Sequence, residues 1–147
     1  MKDFIRLVAG CMLAVTVFSA CGSAPEGPSL TFESAWIRAM PPGMKMTAGF
    51  GKLENHGQEL IELATFASPS FGDVSLHRTE RVDGLSKMRE VPILEIPPGG
   101  TVELAPGGYH LMLMMPVEPL EAGRVVTVQM STASGQSFRF EAVVERR

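Results

Sequence analysis

The chain has 147 residues, a formal charge of −3 and 20% charged residues, which is length enough for one domain with a core of its own. A mildly acidic chain offers no basic footprint to a polyanion, so nucleic acid is excluded as a partner. Its two cysteines, Cys11 and Cys21, both lie near the start, so no disulfide framework is available and the fold must rest on apolar burial.

The first segment reads as an export signal. Lys2 and Arg6 bracket Asp3 in a short n-region, and Leu7 to Ala20 is an apolar stretch of about 14 residues, short of the roughly 20 a spanning helix needs. Residues 1–20 therefore fit a secretory signal peptide, and Cys11 leaves with it. The stretch ends Phe18-Ser19-Ala20-Cys21-Gly22. Small residues before a cysteine resemble the lipobox of bacterial lipoproteins, in which the cysteine is lipidated; Phe18 departs from the preferred Leu. Two outcomes stay open. Either Cys21 carries a lipid and anchors the protein to a membrane of the cell envelope, or ordinary cleavage near Ala20 releases a soluble periplasmic protein. Residues 21–30, rich in Gly, Pro and Ser, form a flexible tether. Loss of Lys2, Asp3 and Arg6 takes the formal charge from −3 to −4.

Residues 31–147 read as one all-β domain. Short alternating segments are broken by turn residues at the spacing of a sandwich or barrel. Strands are expected at Thr31–Ala39, Thr47–Glu54, Glu59–Ala67, Phe71–Thr79, Leu85–Val91, Thr101–Leu104, Tyr109–Met115, Val125–Ser131 and Phe138–Val144. Pro41-Pro42-Gly43, Asn55-His56-Gly57, Ser68-Pro69-Ser70, Asp83-Gly84, Pro106-Gly107-Gly108 and Ser134-Gly135 supply the turns. No window after the signal keeps a helical period, so little helix is expected.

Four residues carry the chemistry: His77, ten residues, Met88, twenty-one residues, His110, one residue, Met112. Thioether sulfur is soft, uncharged and unprotonated, a poor ligand for Zn²⁺, Mg²⁺ or Ca²⁺ and a good one for Cu(I). Two imidazoles with two thioethers thus form a candidate Cu(I) site that needs no thiolate. On one strand, His110 and Met112 share a face and Leu111 and Leu113 take the other. A hairpin turning at Asp83-Gly84 sets Val82 against Leu85, Met88 against Thr79 and His77 against Glu90. His77 and Met88 then share a face as diagonal neighbours. A single loop is expected to bring the two pairs together.

This spacing resembles the periplasmic copper chaperones of the PCuAC type, whose motif is His, ten residues, Met, twenty-one residues, His, one residue, Met. All four positions match. Similar flanking segments are Ala35-Trp36-Ile37-Arg38, Pro41-Pro42-Gly43, Pro98-Gly99-Gly100-Thr101-Val102-Glu103-Leu104 and Pro106-Gly107-Gly108-Tyr109-His110-Leu111-Met112-Leu113-Met114. The resemblance implies a cupredoxin-like Greek-key β-sandwich and one Cu(I) bound by His77, Met88, His110 and Met112. It also implies a monomer that carries copper toward the copper A centre of cytochrome c oxidase. The partner is then a copper-accepting protein, either the copper A subunit or another copper chaperone. Two departures stand out: Arg78 follows the first His where many members have Met, and the C-terminus lacks the His- and Met-rich tail of some members.

Other readings compete. A copper storage or resistance protein needs the same ligands. A structural or adhesive sandwich would leave the set incidental. An enzyme finds no support: there is no nucleophile elbow, phosphate-cradling loop or HExxH. A blue-copper electron carrier needs a cysteine ligand that the domain lacks. Met114, Met115 and Met130 are expected to pack, as most methionines do, and His56 to sit solvated in a turn. Met40, Met44 and Met46 surround the Pro-Pro-Gly turn either as apolar loop cover or as a soft access patch for copper.

Overall fold

The computed structural model describes residues 29–147. The signal peptide, Cys21 and all but the end of the tether fall outside the described residues. Ten strands follow, with no helix among the described residues: β1 Leu30–Arg38, β2 Met46–Asn55, β3 Ile61–Ala67, β4 Phe71–Val82, β5 Leu85–Glu90, β6 Leu94–Ile96, β7 Thr101–Leu104, β8 Tyr109–Pro116, β9 Val125–Thr132 and β10 Ser137–Glu145. Nine match the expected strands to within a few residues. Leu30, assigned to the tether, instead opens β1 and is fully buried. The tenth, β6, is three residues between Pro92 and Pro97, too short to leave a readable period.

The strand order is β5-β4-β8-β7-β2-β1-β10-β9-β3-β6. An added pairing of Phe66 with Val74 joins β3 to β4 and closes the sheet on itself. The result is a flattened barrel, a cupredoxin-like Greek-key β-sandwich, with two parallel contacts, β1–β10 and β7–β8. Alternate residues fill its interior: Leu53, Leu63, Ile96, Leu113, Val128 and Met130 are each 0% exposed. Each such aliphatic side chain stabilises the fold by about 1.5–3 kcal/mol relative to exposure.

Two local features aim side chains outward. In β1 the register shifts between Glu33 and Trp36, with Ser34 at φ 49°. This bulge changes the parity of the strand, so Ile37 enters the core while Trp36 turns to the outer face and meets Phe50, ring centroids 4.6 Å apart. Gly51 lies opposite at φ 150°, where an added Cβ would stand 2.6 Å from the Phe32 ring; only glycine fits. The second feature is the β4–β5 hairpin. Asp83 and Gly84 both have positive φ, 53° and 78°, the geometry of a type I′ turn. A two-residue turn leaves one register, and it is the expected one: Val82 pairs with Leu85, Thr79 with Met88 and His77 with Glu90.

Asn55 is the buried polar group that holds the far end. Its side-chain amide donates to the carbonyls of Glu59 (2.7 Å) and Ile96 (2.9 Å), and its Oδ1 accepts from the Gly57 amide (2.9 Å). A fully satisfied buried amide locks the β2–β3 turn to β6.

Candidate metal centre

The outer face of β4, β8 and β2 carries the site. Along β8 the inward Leu111 and Leu113 are 1% and 0% exposed, which forces His110, Met112 and Met114 outward. On β4 the inward Val74 and Leu76 do the same for Ser75 and His77. β4 and β8 are antiparallel neighbours, with His77 directly opposite His110 and Ser75 opposite Met112. The next strand continues the rows, Ala48 beside Met112 and Met46 beside Met114. The two pairs therefore meet through direct strand pairing and not through a loop, which corrects that expectation. The reason is topological: the chain leaves β5, crosses β6 and β7, and returns beside β4 as β8.

The two imidazoles are 6.1 Å apart between ring centroids and tilted by 31°, so one ion between them is within reach of both. They differ in support. His110 is buried at 6% exposure, with the Phe50 ring tilted against it at 39°, centroids 6.4 Å apart. Its Nδ1 lies 3.1 Å from the Gly108 carbonyl. A carbonyl only accepts, so Nδ1 carries the proton and Nε2 keeps its lone pair for a metal. His77 is half-buried, with Nε2 3.1 Å from the Ser75 hydroxyl. Its Nδ1 is the one buried side-chain nitrogen or oxygen among the described residues without a hydrogen-bond partner. Such an orphan costs about 1–3 kcal/mol unless a ligand takes it.

Both thioethers share a cleft with His110; His77, opposite His110 on β4, is not among its lining residues. Met88, His110 and Met112 line one cleft of 240 Å³. Met88 is 51% exposed and sits on the edge strand. Among the described residues no group of three His, Cys, Asp or Glu could hold a metal. Without its thioethers, then, this face offers an ion two imidazoles, with Glu90 of the exposed β5 edge opposite His77 and the exposed Asp73 opposite Met114 in the register. A larger groove of 760 Å³ lies across the Pro41–Met44 turn and contains none of the four motif residues.

The remaining candidates resolve simply. Arg78 turns away from His77, its guanidinium 5.0 Å over the Tyr109 ring and its Nε 3.4 Å from Glu80. His56 is tied to Thr31 Oγ1 at 2.9 Å and near Glu54 at 3.7 Å, remote in the fold from the cleft. Met130 is in the core, whereas Met115 is 56% exposed at φ 53° and does not pack as expected; the left-handed backbone at the end of β8 turns it out. Sequence reasoning missed Phe50, Ser75 and the Gly108 carbonyl. Each supports a histidine through cross-strand or local geometry that residue type alone does not reveal.

This arrangement, a helix-free sandwich with two histidines and two methionines on one outer face, matches the fold of PCuAC domains. The apo PCuAC domain from PmoF1 superposes with a TM-score of 0.67 at 21% identity, covering 83% of this chain and 98% of that one. The Cu(I) form of DR1885 from Deinococcus radiodurans superposes with a TM-score of 0.65 at 29% identity, covering 88% and 84%. The family model described as "Putative lipoprotein LpqE-like" matches residues 30–144, and the chain belongs to this LpqE-like family. A relative from Leifsonia xyli subsp. xyli, named "Putative lipoprotein Lxx21020", is 32% identical over 131 residues, 88% of this chain and 77% of its own length.

Proposed function

We propose that the protein is a Cu(I) metallochaperone of the cell envelope, holding one ion through His77, Met88, His110 and Met112. The observation that carries this is the orphaned Nδ1 of His77, a residue directly opposite His110 across a strand pair, beside a cleft lined by Met88, His110 and Met112. Neutral imidazole and thioether donors leave the bound ion singly positive and favour the reduced metal. DR1885, which shares this fold at 29% identity, is solved in a Cu(I) form, and that supports the same cargo here.

Release follows from the asymmetry of the donors. Met88 is exposed on an edge strand, so an acceptor's donor atom displaces its thioether first. Met112 and His77 follow, and buried His110 leaves last. Copper stays Cu(I) throughout, and no proton need move. The lipoprotein names of the family and of the Leifsonia relative, with the signal-like residues 1–20, support export and a lipid on Cys21. The acceptor proposed is the copper A centre of cytochrome c oxidase. Mixing Cu(I)-loaded protein with a purified copper A domain, separating the two and then removing one electron per acceptor centre with added ferricyanide tests it: copper found with the acceptor, and copper A optical bands after that oxidation, support delivery. Retention of all copper by the donor contradicts delivery and leaves storage.

A further inference from the structure

Met44 and Met46 are 53% and 51% exposed, whereas Met130, a packing methionine of the same chain, is 0% exposed. Together with half-buried Met40 they line the cleft that also contains Met88, His110 and Met112. All three belong to or adjoin the β1–β2 loop, and that loop is held in shape. The Met44 amide donates to the Pro41 carbonyl at 3.3 Å, the Met115 amide to the Lys45 carbonyl at 2.8 Å, and the Thr47 hydroxyl to the Arg38 carbonyl at 2.7 Å. Loop cover would be served by any apolar side chain, yet three thioethers within seven residues line one cleft, Met44 and Met46 kept in solvent and Met40 and Met44 bordering the adjoining groove as well.

We propose that Met40, Met44 and Met46 form a second, weaker Cu(I) site, composed of thioethers alone, that captures incoming copper and passes it to Met88 and then to the histidines. The inference rests on the copper reading of the adjoining His/Met set. Three neutral sulfurs suit Cu(I) and give almost nothing to Zn²⁺ or Mg²⁺. Arg38 also lines the cleft, with its guanidinium carbon 5.5 Å from the Phe50 ring centroid, and a positive charge there opposes a bound cation. The site is therefore weak, as a transit site must be. Transfer is ligand exchange: each incoming thioether lone pair replaces an outgoing one, with no change in oxidation state and no proton released.

The test follows the methionine methyl groups by ¹³C NMR during Cu(I) titration of the purified protein. The methyls of Met88 and Met112 are expected to shift over the first equivalent and those of Met40, Met44 and Met46 over the second. In parallel, the triple variant M40L/M44L/M46L, which conserves volume, should capture Cu(I) from a chromophoric chelator roughly tenfold more slowly while its final affinity stays within about twofold of wild type. Loop methyls unmoved at excess Cu(I), or a triple variant as fast as wild type, would overturn the proposal. Loop methyls that shift while Met88 and Met112 do not would overturn the His/Met site and leave the loop site standing.

Discussion

Strands β8 and β5 both donate to the candidate centre, and they are held very differently. β8 lies between β4 on one side and β2 with β7 on the other, its inward Leu111 and Leu113 sealed in the core. β5 pairs with β4 alone, and all six of its residues are exposed. The wall bearing His110 and Met112 is thus built by the same packing that folds the protein. The wall bearing Met88 hangs on a hairpin that can open at little cost to the rest. A site that must hold an ion and give it up is served by one fixed wall and one yielding wall.

The contrast can be broken from either side. Leu111→Ala should destabilise the fold by about 3 kcal/mol, as core Leu→Ala changes do, seen as a lower midpoint in urea, while the folded fraction keeps its copper affinity. His110→Ala should cost at least about 100-fold in Cu(I) affinity, roughly 2.7 kcal/mol, read by competition with a Cu(I) chelator. Met88→Ala should weaken Cu(I) binding about tenfold, roughly 1.4 kcal/mol, and leave the urea midpoint almost unmoved, because the side chain is half in solvent. Met112→Ala should also weaken binding about tenfold but shift the midpoint measurably, since it sits on the fixed wall. Gly84→Ala should cost about 1 kcal/mol by straining a positive φ, and faster amide exchange confined to β5 would show that only the loose wall is affected.

The hairpin register was legible because Asp83-Gly84 permits one turn geometry and alternation then assigns every face. His110 and Met112 were legible as neighbours for the same reason of parity. The meeting of His77 with His110 was not, because that pairing joins β4 to β8 across three intervening strands and depends on the closure of the whole sheet. The bulge at Ser34, which turns Trp36 onto Phe50 and so backs His110, was hidden because serine in a strand carries no such signal. β6 was hidden between prolines. The methionines of the β1–β2 loop were visible as a group, but their common cleft depends on how the Pro41–Met44 turn folds over β2.

X-ray absorption at the copper edge, on protein loaded with one equivalent of Cu(I), reads the ligand atoms themselves. A mixed shell of imidazole nitrogen and thioether sulfur is expected, with imidazole scattering lost in the H77A/H110A double variant. A shell without sulfur, or one unchanged by that double substitution, would contradict the His/Met site.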